Sequence, residues 1–136
     1  MQEIQWSTYV PQQKQRKALA ISISKKSGKI TLGKEVLGQI PDVELYKYCE
    51  ILSGTRNDKL EQVRLILKQT MDDNSFVLSK TKNRNGKLQT LYIYALDLAS
   101  QIFDELNTEK ATIRRVPEIK KENPDVYVTF TVNENV

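Results

Sequence analysis

Seven basic residues, Lys14, Arg16, Lys17, Lys25, Lys26, Lys29 and Lys34, fall between positions 14 and 34 with no acidic residue among them. A second basic set, Lys80, Lys82, Arg84 and Lys87, follows at positions 80 to 87. Closely spaced Lys and Arg without acids attract phosphate, so the chemistry open to these residues is electrostatic capture of a polyanion. Catalysis has little to draw on. The chain has no histidine and a single cysteine, and a nucleophilic thiol ordinarily needs a neighbouring base. Cys49 lies among Leu45, Ile51 and Leu52, apolar neighbours that keep a thiol protonated. Glu35, Asp72, Asp73 and Asp97 stand where solubilising or helix-end charge is the ordinary role. No catalytic residue, metal ligand or cofactor is assigned, and the expectation is a non-enzymatic protein.

The same cysteine count excludes an intramolecular disulfide and suits a reducing cytoplasm. No apolar run approaches the roughly 18 residues of a membrane span, and the opening MQEIQWSTYV is not a basic segment followed by a hydrophobic block. A cytoplasmic protein without membrane contact is expected. At 136 residues the chain has the length of one compact domain. Its net charge of +4 is unevenly spread: residues 1 to 68 hold 12 Lys/Arg and 7 Asp/Glu, residues 69 to 136 hold 9 and 10, giving +5 and −1.

The elements that must position the basic sets follow from periodicity. Leu19, Ile21 and Ile23 alternate with Ala20, Ser22 and Ser24, the pattern of a half-buried strand. Lys25-Lys26-Ser27-Gly28-Lys29 then supplies turn chemistry before Ile30-Thr31-Leu32, so the two strands form a hairpin with a cationic tip. Lys34 to Ile40 reads as a short helix stopped by Pro41. Val43, Leu45, Cys49 and Ile51 approximate a strand, Ser53 to Lys59 a polar loop, and Val63, Leu65 and Leu67 a further strand. Residues 1–17 read as an irregular basic arm, with Trp6 packed over the edge of the core or stacked on a base.

After Met71-Asp72-Asp73-Asn74 the same order of elements returns. Phe76 to Lys80 stands where Ile21 to Lys25 stood, and Asn85-Gly86-Lys87-Leu88 where Ser27-Gly28-Lys29-Ile30 stood, after a turn three residues longer. Ala95 to Leu106 is the second helix, and 112–119 and 126–132 are the final strands. The expectation is a mainly β (α+β) domain of about eight strands and two helices, built from two related β-β-α-β-β halves at 18–70 and 71–136.

The stretch ISISKKSGKITLGKEVLGQI followed by VELY resembles the AbrB/MazE swapped-hairpin family, well over residues 18 to 68 and weakly over 75 to 132, with Gly33 where that family usually has Pro or Asn. The resemblance implies a pseudodimeric barrel in which two modules interleave their hairpins, as a monomer or a homodimer. It also implies that Lys25, Lys26, Lys29, Lys80, Lys82, Arg84 and Lys87 contact the phosphates of duplex DNA, in a role such as transcriptional regulation in a bacterium or phage. Lys14, Arg16, Lys17 and Lys34 extend the basic set. Reading of bases would fall to Asn83, Arg84, Asn85 or Gln89. Two other partners stay open. A single strand could stack on Tyr46, Tyr48, Tyr92, Tyr94 and Tyr127, or a small phage protein of this kind could inhibit a host nucleic-acid enzyme through a protein surface.

Overall fold

A computed structural model describes residues 4–6 and 19–133. Alternation of apolar and polar residues sets its architecture. In β1 (Ile21–Ser24) and β2 (Lys29–Leu32), Ile21, Ile23, Ile30 and Leu32 are fully buried, while Ser22, Ser24, Lys29 and Thr31 are only half-covered. Helix α1 (Lys34–Leu37) buries Val36 and Leu37. A 3-10 turn at Val43–Leu45 leads to β3 (Tyr48–Arg56), which pairs with β4 (Lys59–Lys68). Three strands follow, β5 (Ser75–Val77), β6 (Ser79–Lys82) and β7 (Leu88–Tyr94), then helix α2 (Leu96–Leu106). The chain ends in β8 (Thr112–Arg115), β9 (Glu118–Glu122) and β10 (Asp125–Thr131).

The ten strands form two five-stranded antiparallel sheets. One, called sheet A, has the order β6-β7-β2-β1-β8; the other, sheet B, has β5-β3-β4-β10-β9. The mainly β class expected from the periodicity is therefore present. A closed barrel is not: among the described residues β6, β8, β5 and β9 each pair on one side only, leaving every sheet with two edges. The physical reason lies in the points where the chain changes sheet. Residues 76–80 alternate as one strand would, but Leu78 is buried and its N–H donates to the Lys47 carbonyl at 2.9 Å, so β5 stays in sheet B and β6 begins in sheet A. Pro117 sits in the corresponding break between β8 and β9. A proline has no N–H to give a ladder, and the strand expected over 112–119 divides there. These two divisions turn the expected eight strands into ten.

Three further expectations change. Val43 and Leu45 belong to the 3-10 turn, which follows Asp42 in the left-handed region (φ 53°), so the strand starts at Tyr48. Ser53 to Lys59 is not a loop: β3 and β4 continue to Arg56 and Lys59, with only Asn57 (φ 54°) and Asp58 (φ 62°) between them. Positive φ at both central residues is the signature of a tight hairpin turn matched to strand twist. Trp6 is 88% exposed and covers nothing in the core.

Both sheets are held by ladders between the first and second halves of the chain. In sheet A, β2 pairs with β7 from Lys29↔Tyr94 to Leu32↔Leu91, and β1 pairs with β8. In sheet B, β4 pairs with β10 from Gln62↔Thr131 to Leu67↔Val126. One apolar cluster runs through both sheets and both helices, including Val63, Leu65 and Leu67 opposite Val126, Val128 and Phe130. Each such side chain contributes roughly 1.5–3 kcal/mol when fully buried, a gross gain that conformational entropy largely offsets, so a chain that loses one side of this ladder loses much of what holds the core. Arg115 adds a polar tie, its Nε donating to the Val132 carbonyl at 2.8 Å.

A fragment ending at residue 70 loses β7, β8 and β10 together. It should show no cooperative thermal unfolding as a monomer; a cooperative, monomeric transition by calorimetry and sedimentation would contradict the shared core.

Candidate nucleic-acid interface

Pairing register assigns each side chain of sheet A to a face. Ile21, Ile23, Ile30, Leu32, Leu91, Ile93 and Ile113 point into the core. The opposite face is crossed by the row Ser79–Tyr92–Thr31–Ser22–Arg114, with Thr81 and Thr90 paired on one side of it and Tyr94 and Lys29 on the other. Ser24 and Thr112 complete it. Among the described residues this outer face holds hydroxyls, two tyrosines, Lys29 and Arg114, and no acid.

The two cationic tips lie at opposite ends of that face. β2 starts beside the end of β7, so the first tip adjoins Tyr94, whereas the second tip adjoins Leu88. The length of β7 separates them by about 20 Å at the rise of an extended strand. Lys25, Lys26 and Lys29 mark the first end, and Lys82, Arg84 and Lys87 the second, with Lys34 just past the end of β2. Lys80 stands apart. It pairs with the buried Leu91, so it lies on the core-side row of an edge strand, exposed at its rim. An inward-facing charge there discourages pairing with another chain. Lys82, across from Leu88 past a bulge, is the exposed last residue of that edge strand, where the second tip begins. Lys14, Arg16 and Lys17 lie outside the described residues.

The tips also differ in construction. Gly28 (φ +72°) is buried, and a Cβ there would sit 2.4 Å from the Leu96 Cα. Its carbonyl accepts the Ala95 N–H at 2.9 Å, so the first tip is clamped to the start of α2. Lys29 is half-buried with Nζ 4.1 Å from the centre of the Tyr92 ring, a cation–π contact. Lys25 and Lys26 stay exposed. The second tip is free: a Cβ on Gly86 (φ +78°) meets nothing within 4 Å. It is held by its own hydrogen bonds, the Asn83 Oδ1 accepting the N–H groups of Asn85 and Lys87, both at 2.9 Å. That leaves Arg84 and Asn85 as the base-edge candidates of this turn, since Asn83 is committed to it and Gln89 donates to the Lys87 carbonyl at 3.4 Å.

Charge is segregated between the sheets. The three ion pairs among the described residues, Arg56–Glu61 at 3.1 Å, Lys68–Asp72 at 2.7 Å and Lys120–Glu122 at 3.0 Å, all belong to sheet B and its connections. No cation of sheet A has such a partner among the described residues. Asp72 is committed further, accepting the Asn74 N–H on Oδ1 at 3.0 Å. The Lys68 hydrogen bond holds its carboxyl below the ordinary range and raises the Lys68 ammonium. Asp97 sits in the first turn of α2. Among the described residues no three His, Cys, Asp or Glu side chains are gathered to hold a metal.

The tyrosines divide the same way. Tyr46 is buried, Tyr48 and Tyr127 belong to sheet B, and Arg64 lies 4.9 Å over the Tyr127 ring. Among the described residues only Tyr92 and Tyr94 share the basic sheet, in edge-to-face contact at 5.8 Å. Sequence reasoning missed the contribution of Arg114, because only pairing of β8 with β1 brings it to this face. Comparison with protein-family models, curated proteins and solved structures returned no match.

Two outcomes follow from the tips and the thiol. Gly28→Ala collides with backbone and should destabilise by several kcal/mol, about 3 or more, whereas Gly86→Ala should cost only about 1 kcal/mol from its positive φ; equal melting temperatures for the two variants would contradict the clamp. Burial pushes the Cys49 thiol up from 9.0 to about 12. Its neutral form is favoured in the fold, so the contribution to stability is complete below pH 9.0 and is lost as pH rises towards about 12. Cys49→Ala should remove that part of the alkaline loss, checked by denaturant melts across the window; an unchanged alkaline slope would contradict it.

Proposed function

We propose that this is a non-enzymatic nucleic-acid-binding protein that grips phosphates along the outer face of sheet A and meets duplex DNA with the free β6–β7 turn. The observation carrying the reading is the acid-free face of five strands, flanked at both ends by cations that make no ion pair among the described residues. Unpaired lysine and arginine gain most from releasing the counterions of a polyanion. A two-stranded ribbon fits the major groove, and Arg84 at its tip has the donors to bridge a guanine. Lys and Arg elsewhere on the face supply register and affinity without sequence information.

The strand order also supports a pseudodimeric reading of the chain. Sheet A sets the hairpin β1–β2 against β7–β6 through their second strands, and sheet B sets β3–β4 against β10–β9 in the same way. Interleaving of this kind is what the swapped-hairpin resemblance implies, here as two open sheets. The longer second turn then makes the footprint asymmetric.

Charge reversal tests the reading with a built-in control. Lys25→Glu/Lys26→Glu and Lys82→Glu/Arg84→Glu should each weaken duplex binding at least about tenfold at low salt and reduce the salt slope by about 2. Lys120→Glu/Lys121→Glu on sheet B should leave both unchanged. Equal losses in all three variants, or no oligonucleotide binding by the wild-type protein at low salt, would overturn the proposal.

A further inference from the structure

Beside the first tip, a groove of about 460 Å³ opens between the start of α2 and strands β3 and β5 of sheet B, with Tyr94 at the end of β7 on its wall. Phe76 of β5, Tyr94 of β7 and Leu96 of α2 line it, and they are 52%, 60% and 51% exposed. Three large apolar side chains left in solvent around one opening mark a binding surface. Its size falls within the roughly 300–1,000 Å³ of pockets that take small organic groups. Two of the three are aromatic. Ser53, Asp97 and Gln101 add polar atoms to the wall.

The surroundings select the occupant. The clamp that buries Gly28 against Ala95 and Leu96 makes the first tip the rim of this groove, because those two residues line it. Cations therefore stand outside and an acid, Asp97, stands inside. A phosphate is attracted to the rim and repelled from the interior, while an uncharged aromatic ring is favoured within. A nucleotide of a single strand has that division of charge: its base enters and its phosphates stay with Lys25 and Lys26. Aromatic stacking supplies affinity for any base, and Asp97 and Gln101 offer an acceptor and an amide to its edge.

Resting on the nucleic-acid reading above, we infer that the groove between Phe76 and Tyr94 takes an unpaired base. With the duplex-facing turn about 20 Å away at the other end of β7, the preferred substrate class is a duplex carrying a single-stranded tail. Fluorescence anisotropy tests this with a blunt duplex, the same duplex bearing an oligothymidine tail, and the tailed duplex with abasic sites in place of the thymines. The tailed duplex should bind about tenfold more tightly than the blunt one, and the abasic tail should lose that advantage. Phe76→Ala, on sheet B, should abolish the advantage without changing affinity for the blunt duplex, and Tyr94→Phe should keep it. Equal binding of thymine and abasic tails by the wild-type protein overturns the inference without relying on any variant. Blunt-duplex binding with no gain from the tail overturns it as well, and leaves the nucleic-acid reading standing. Binding of no probe overturns both.

Discussion

The antiparallel ladders β2–β7 and β4–β10 are the constraint on which the other features depend. Each joins a strand from the first half of the chain to one from the second, so neither sheet exists without both. The ladder in sheet A fixes more than stability. Its register, Lys29 opposite Tyr94 and Leu32 opposite Leu91, sends the two hairpin turns to opposite ends and turns Lys29, Thr31, Tyr92 and Tyr94 to one face. A shift by one residue would exchange that face with the core.

From this follows an unequal pair of tips. The first turn is short, its glycine is buried, and α2 clamps it in place. The second is longer, built around the side-chain oxygen of Asn83, and touches nothing beyond itself at Gly86. A clamped cationic rim beside an aromatic groove suits a flexible strand, while a projecting turn suits a groove in a rigid duplex. Segregation of charge has the same origin. The ion pairs among the described residues lie in sheet B and its connections, and the cations of sheet A make none.

Much of the fold was legible where one face of a strand is buried and the other is wet. Ile21 with Ile23, Val63 with Leu65 and Leu67, and Val126 with Val128 all show the alternation that their burial later explains. The far end of the β3–β4 hairpin was not legible, because Leu52 to Lys59 are exposed on both faces and carry no alternation. The sheet changes at Leu78 and Pro117 were hidden for another reason: a strand's periodicity does not say which sheet it joins. The cationic tips were visible as composition. Their separation, the departure of Lys80 to the edge, the arrival of Arg114 and the groove at Phe76 all depend on long-range pairing, which one sequence does not encode in its local pattern.

Lysine-selective acetylation footprinting of the intact protein, with and without a tailed duplex at low salt, reads which sheet nucleic acid covers. Protection of Lys25, Lys26, Lys82 and Lys87 at the two ends of sheet A is expected, with unchanged reactivity of Lys59, Lys120 and Lys121 on sheet B. Protection of the sheet B lysines, or no protection of the sheet A set at saturating DNA, would contradict it.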